Sequence, residues 1–144
     1  MSRIVSYRGQ IAHNTIDAVS LHTIDGLIGY KIKTLQVIAN NPTAMNMESV
    51  LKIYKVPQTT TTNTIDFSDN TLLGASFLHS SNSAIYELSK IIVFDNEIFN
   101  QDIYITHNEP NASSALNYYI ELEQMDLALD EATVATLKNI RNND

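Results

Sequence analysis

From Asn117 onward, polar and apolar side chains exchange places at every residue: Tyr118, Ile120 and Leu122 share one face of an extended chain, and Tyr119, Glu121 and Glu123 share the other. A helix cannot sort them this way, because its 3.6-residue repeat scatters alternate positions around the whole circumference. The segment must be a strand with one buried face. Beyond Gln124 the apolar parity moves by one residue, to Met125, Leu127 and Leu129, which predicts a β-bulge or a strand that changes sheets. Gly29–Ile38 reads similarly: Tyr30 and Ile32 oppose Lys31 and Lys33, and parity changes near Thr34. Ile98–Thr106 reads as one strand with Phe99, Ile103 and Ile105 on a face, and Leu73–His79 as another. Such alternation belongs to antiparallel sheets with one wet face, since parallel sheets bury both faces and read as continuous apolar runs.

Turn clusters separate these segments: Asp25-Gly26, Asn40-Asn41-Pro42-Thr43, Gln58–Asn63, Ser80–Ser83, Asp95-Asn96-Glu97 and Asn108-Glu109-Pro110-Asn111. Seventeen Ile and 13 Thr supply strand formers and 15 Asn supply turns, against 4 Gly and 3 Pro. The expected fold is mainly β, an antiparallel β-sandwich, jelly-roll-like, over residues 1–130 of a single domain. Ser68–Leu72 allows one capped helical turn before the strand at Leu73 or a short helix through Leu78. A C-terminal helix is expected over residues 131–142, with Asp130 as N-cap, Glu131 in the first turn, and Lys138 and Arg141 near the C-terminal pole. Val134, Leu137 and Ile140 recur every three residues on it. Three turns are marginal alone in water, so this stripe is expected to pack on the sandwich or on a neighbouring subunit.

Net charge is −7, without the diffuse positive field that phosphate backbones attract, so no nucleic-acid partner is expected. Residues 1–60 carry six cations and three anions, +3, whereas residues 61–144 carry three cations and thirteen anions, −10. Basic and acidic strands could pair within one sheet, or a dipolar subunit could dock on a charged partner. Cysteine is absent, which excludes disulfides, thiolate metal sites and cysteine nucleophiles. No apolar run approaches a signal-peptide core or a membrane span, so neither classical export nor a membrane partner is expected.

Chemical motifs are sparse. Nucleotide-binding glycine loops and the G-x-S-x-G elbow are missing. His13, His22, His79 and His107 have no metal-ligand spacing, although His79 and His107 end predicted strands and could meet at one rim. Asp66 with Asp69, or Asp95, Glu97 and Asp102, could offer loop oxygens to calcium, but the EF-hand loop is absent. Glu121 and Glu123 share a strand face, as a carboxylate pair for glycoside hydrolysis would, or as a solvated sheet face would. Tyr7, Tyr30, Tyr54, Tyr86, Tyr104, Tyr118 and Tyr119 could line a sugar-stacking surface or pack within the sheets. Asn111-Ala112-Ser113 matches a glycosylation acceptor by chance. No catalytic, cofactor or metal residue is assigned.

Val93–Thr106, Asn117–Glu123 and Glu131–Arg141 together resemble a family of short virion structural proteins of marine tailed bacteriophages, a likeness that Gly29–Ile32, Ser49–Tyr54 and Thr64–Asp69 extend over most of the chain. The resemblance implies a non-enzymatic virion component assembled in the host cytoplasm. It would be a capsid-surface, decoration-type or tail-associated subunit, a homo-oligomer whose partners are the major capsid protein or tail subunits. Candidate assembly contacts are Val134, Leu137, Lys138, Ile140 and Arg141 on the helix, with Lys31 and Lys33. The alternative is a carbohydrate-binding or host-attachment module.

Overall fold

The computed structural model describes residues 2–41, 46–80, 88–94 and 97–142. Expected turns around Pro42, Ser81–Ser83 and Asp95-Asn96 lie outside them, as does Tyr86. The described residues form eight strands in two packed antiparallel sheets. β1 (Ser2–Ile11), β8 (Leu116–Asp126) and β3 (Ile28–Ala39) build the smaller sheet in the order β1-β8-β3. β2 (Thr15–Val19), β7 (Ile103–Asn108), β4 (Met47–Tyr54), β5 (Leu72–Ser80) and β6 (Leu88–Val93) build the larger in the order β2-β7-β4-β5-β6. Pairing the first strand with the last and the second with the seventh nests the strands as in a jelly roll. β6 extends the larger sheet, beside β5.

The inward side of each alternating strand makes the core. Tyr118, Ile120 and Leu122 face Leu51, Ile53, Ile103 and Ile105 within one buried cluster, most of these residues having no exposed surface. Burying each such side chain stabilises the fold by about 1.5–3 kcal/mol. The parity change near Thr34 is a bulge: Ile32 pairs with Leu122 and Thr34 with Glu121, leaving Lys33 as the extra residue. A second register shift sets Ile53 opposite Gly74 but Tyr54 opposite Leu72.

Three expectations are corrected. β8 has no bulge at Gln124, because its register runs one-to-one to Met125 against β1 and to Asp126 against β3. Leu127 turns inward only after the strand has ended; its side chain occupies the space over Gly29, where an added Cβ would meet it at 2.8 Å. Ile98–Thr106 is not one strand. Phe99 forms an isolated bridge to Tyr30 on β3, with backbone hydrogen bonds of 2.8 and 2.9 Å and stacked rings, whereas Ile103 begins β7 in the other sheet. Equal parity in two segments on different sheets looks identical to one continuous strand. Ser68–Leu72 is not helical: Asp66 and Asp69 each accept from a backbone N–H two residues on, and the chain makes two successive turns into β5.

The helix α1 spans Leu129–Asn142, beginning two residues before the expected start. Ala128, not Asp130, is the N-cap. Its carbonyl accepts from Ala132 N–H, and Glu131 Oε1 accepts from its N–H at 3.0 Å, the reaching-back half of a capping box.

Candidate functional site

α1 lies on the sandwich by an unusual face. Ala132 is buried against it, and the other ties are polar. Asn100, buried and just past the Phe99 bridge, donates through Nδ2 to Gly26 O (3.0 Å), Ala132 O (3.3 Å) and Thr136 Oγ1 (2.8 Å). Gly26 has φ +70°, and an added Cβ would meet the Asn100 amide at 3.1 Å, so this close approach requires glycine. Farther along, Asn139 Nδ2 donates to Lys55 O (2.8 Å), and Lys138 Nζ reaches Glu97 Oε1 (3.4 Å). These bonds set the rotation of the helix about its axis.

The consequence is that the apolar stripe points away from the sandwich. Leu129 is 74% exposed, Val134 62%, Leu137 59% and Ile140 56%. Of the two expected coverings for this stripe, the sandwich or a neighbouring subunit, the sandwich does not supply one: the small and polar positions of the same helix pack there. Ile98, beside Leu127 and Val134 in a shallow groove along one flank, is also exposed. Ile24, fully exposed, lies two residues before Gly26. Clustered apolar exposure of this kind marks interaction surfaces, whereas single exposed side chains do not. Among the helical candidates, Val134, Leu137 and Ile140 are free on this surface, Lys138 is held by Glu97, and Arg141 lies in the last turn.

Lys31 and Lys33 lie elsewhere, on β3 beside Glu123 of β8, with Nζ–Oε1 distances of 3.8 and 4.0 Å. β1 and β3, which carry Arg3, Arg8, Lys31 and Lys33, flank the β8 acids Glu121 and Glu123. Of the two expectations for the charge split, cross-strand pairing is seen for Lys31 and Lys33 with Glu123. Exposed pairs of this kind contribute about 0–1 kcal/mol.

Behind Lys138 a cavity of about 450 Å³ is lined by Lys55, Phe67, Asp69, Asn70, Phe94 and Glu97. Phe67 and Phe94 meet edge to face with centroids 5.3 Å apart. Glu97 Oε1 also accepts from the buried Lys55 Nζ at 2.5 Å. Burial pushes the Glu97 carboxyl up, but Lys55 and then Lys138 outweigh it, and the group titrates below its usual range.

The remaining candidates are engaged locally. His79 and His107 do not meet, because His79 pairs with Glu48 in register and is exposed, whereas His107 pairs with Leu51 facing the core. His107 Nδ1 lies 3.0 Å from Ala12 O, which can only accept, so Nδ1 carries the proton and Nε2 accepts from Ser49 Oγ at 3.0 Å. Burial holds His107 below its ordinary pKa. This serine–histidine contact, invisible in sequence spacing, is sealed between the sheets with a carbonyl where a hydrolase would have a carboxylate.

Asp102 accepts from Leu21 N, His22 N and His22 Nδ1, and Glu109 accepts from the N–H groups of Glu48, Asn111, Ala112 and Ser114. Burial raises both carboxyls, but these donors bring them below the usual range. Glu121 accepts from the Tyr119 hydroxyl at 2.8 Å, and Glu123 faces the two lysines. Tyr30 and Tyr118 are core residues. Of the calcium candidates, Asp95 lies outside the described residues. Asp66 and Asp69 each hold their own turn, and the described residues contain no group of three metal-binding side chains.

No family model matches the sequence, and no curated protein matches it.

Proposed function

We propose that this protein is a non-enzymatic assembly subunit of a tailed-phage particle, at the capsid surface or in the tail, acting through protein–protein contacts of α1. The outward apolar stripe of Leu129, Val134, Leu137 and Ile140 carries this proposal. A chain that builds a closed apolar core yet turns four branched side chains of one helix to water gains from that exposure only when another surface covers them. The resemblance of Glu131–Arg141 and the preceding strands to virion proteins supplies the setting. Mass spectrometry of purified particles tests it: the chain should be present, and Leu137→Glu should prevent its incorporation while leaving the fold intact. Absence of the chain from particles at a sensitivity that detects minor proteins would overturn the proposal.

The cavity between Phe67, Phe94, Asp69, Asn70, Glu97 and the two lysines favours a second reading, a carbohydrate-binding module. Apolar rings beside planar polar groups suit a sugar, whose ring has an apolar face and a hydroxyl rim. Glycan-array binding lost in Phe67→Ala would favour this reading, and no glycan binding would remove it.

A further inference from the structure

We infer that the turn between β1 and β2 is a proton-operated latch: two neutral imidazoles, His13 and His107, fasten it to the C-terminal end of β7, and mild acid releases it while both sheets stay folded.

The turn, residues 12–14, is where the chain crosses from the smaller sheet to the larger. Two hydrogen bonds tie it to the end of β7. Ala12 O accepts from His107 Nδ1 at 3.0 Å, and His13 Nδ1 accepts from the Glu109 backbone N–H at 2.9 Å. A ring nitrogen that accepts from an N–H carries no proton, so His13 is the neutral Nε2–H tautomer, whereas His107 is the neutral Nδ1–H tautomer. Protonated, His13 would set N–H against N–H and lose its bond outright. Protonated, His107 would keep its Nδ1 donor but become a cation with no exposed surface, between the sheets.

The groups around His107 do not neutralise that charge. His13, on the turn, repels it. Glu109, past the end of β7, attracts it, but this carboxylate is fully enclosed and already accepts from the N–H groups of Glu48, Asn111, Ala112 and Ser114. β4 offers only the neutral Ser49 hydroxyl, since Glu48 alternates to the other face, opposite His79. On β2, Thr15 pairs with His107, and Asp17, two residues along, lies 3.5 Å from the Tyr118 hydroxyl of β8. Burial therefore dominates and holds His107 below its ordinary value. A depressed histidine contributes fully above the imidazole range, and its contribution is lost as pH falls below about 6.5.

Glu109 sets the order of events. Burial raises its carboxyl, but its four backbone donors bring it below the usual range, so it stays ionised while the imidazoles titrate. The turn is released first, and the 109–114 loop follows only in the carboxylate range. One tie is indifferent to pH: Thr61 Oγ1 donates to Asn14 Oδ1 at 2.6 Å and accepts from Asn108 Nδ2 at 2.9 Å. It tethers the released turn and keeps the opening local. Behind the turn lie Ile11 and Leu116, paired across β1 and β8 and enclosed, so release wets this end of the core.

Amide hydrogen exchange of the full chain, followed by NMR at about pH 7.5 and about pH 5.5 and corrected for intrinsic rates, tests the latch. Protection of the Glu109 N–H should fall about tenfold or more in acid, whereas Ile120 and Leu122 on β8 should change by less than about twofold. His13→Gln, whose side-chain oxygen can accept from Glu109 at either pH, should remove most of the fall. His79→Gln, at an exposed histidine on β5, should leave it as in the wild type. Long-range nitrogen–proton spectra of the wild type near neutrality should show His13 as Nε2–H and His107 as Nδ1–H. Equal losses at Glu109 and on β8 would make acid a global destabiliser and overturn the latch. So would constant protection at Glu109, a fall that survives undiminished in His13→Gln or vanishes in His79→Gln, or either histidine in the opposite tautomer.

Discussion

The interior of the sandwich and the underside of α1 use opposite means to hold their parts together. Between the sheets, Leu51, Ile53, Ile105, Leu116, Ile120 and Leu122 are fully enclosed, and cohesion comes from apolar burial. Under α1, Asn100 and Asn139 amides, the Lys138–Glu97 pair and the small Ala132 hold the helix, while its branched residues face water. Burial is non-directional and accepts any rotation of a helix that hides its stripe. Hydrogen bonds are directional, and a few of them set a rotation that burial would not choose. The apolar surface is thereby left for use between molecules.

The comparison can be broken first in the core. Leu122→Ala should cost about 2–5 kcal/mol in urea unfolding, with the whole molecule responding as one cooperative unit. A loss below about 1 kcal/mol would mean that the enclosed layer is less closely packed than described.

Asn100→Ala should cost less, about 1–3 kcal/mol, and act locally. Hydrogen exchange should show α1 amides losing protection while β8 amides keep theirs. Equal loss in both would make the helix part of the same cooperative unit, and the contrast would fail.

Acid should separate the two regions further. Glu97, Asp102 and Glu109 titrate below their unfolded values, so their contribution is fully present above the ordinary carboxylate range and is lost as pH falls through their folded values. His107, also depressed, adds a loss that begins as pH falls below about 6.5. Thermal melts across pH should show stability declining with acid over both windows. In Glu97→Gln the decline in the carboxylate window should be shallower, and an identical slope would refute the role given to the Lys55–Glu97–Lys138 cluster.

The smallest effect on stability is expected at the outward stripe. Val134→Ala and Leu137→Ala should each change the folding free energy of the monomer by no more than about 0.5 kcal/mol, since both side chains are mostly exposed. Measured at a concentration where the wild type is monomeric, a larger loss would show that the stripe packs on its own subunit.

Much of the sandwich could be read directly from residues. Tyr118, Ile120 and Leu122 alternate because their strand has one buried face, and the change of parity near Thr34 marks the bulge at which Lys33 is the extra residue in the register. The same rule failed at Phe99–Ile105, where two segments on different sheets keep one parity, and at Gln124, where Leu127 turns inward after the strand has ended. Of the candidate surface, Val134, Leu137 and Ile140 were legible as a stripe, but not its direction. Asn100 gave no signal, because a buried asparagine beside a turn looks like any loop asparagine until its three acceptors, from Gly26, Ala132 and Thr136, are in place. Nor could spacing show Ser49 meeting His107, which lie 58 residues apart.

The chain's own pattern determined that it is a mainly β, antiparallel sandwich with a helix at its C-terminal end, since periodicity is a local property carried by neighbouring residues. Tertiary structure decided which side of that helix faces outward. That choice depends on amides and carboxylates contributed by distant segments, Asn100 and Glu97 before β7 and the Lys55 carbonyl after β4, whose bonds to the helix exist only once the sheets have brought them together.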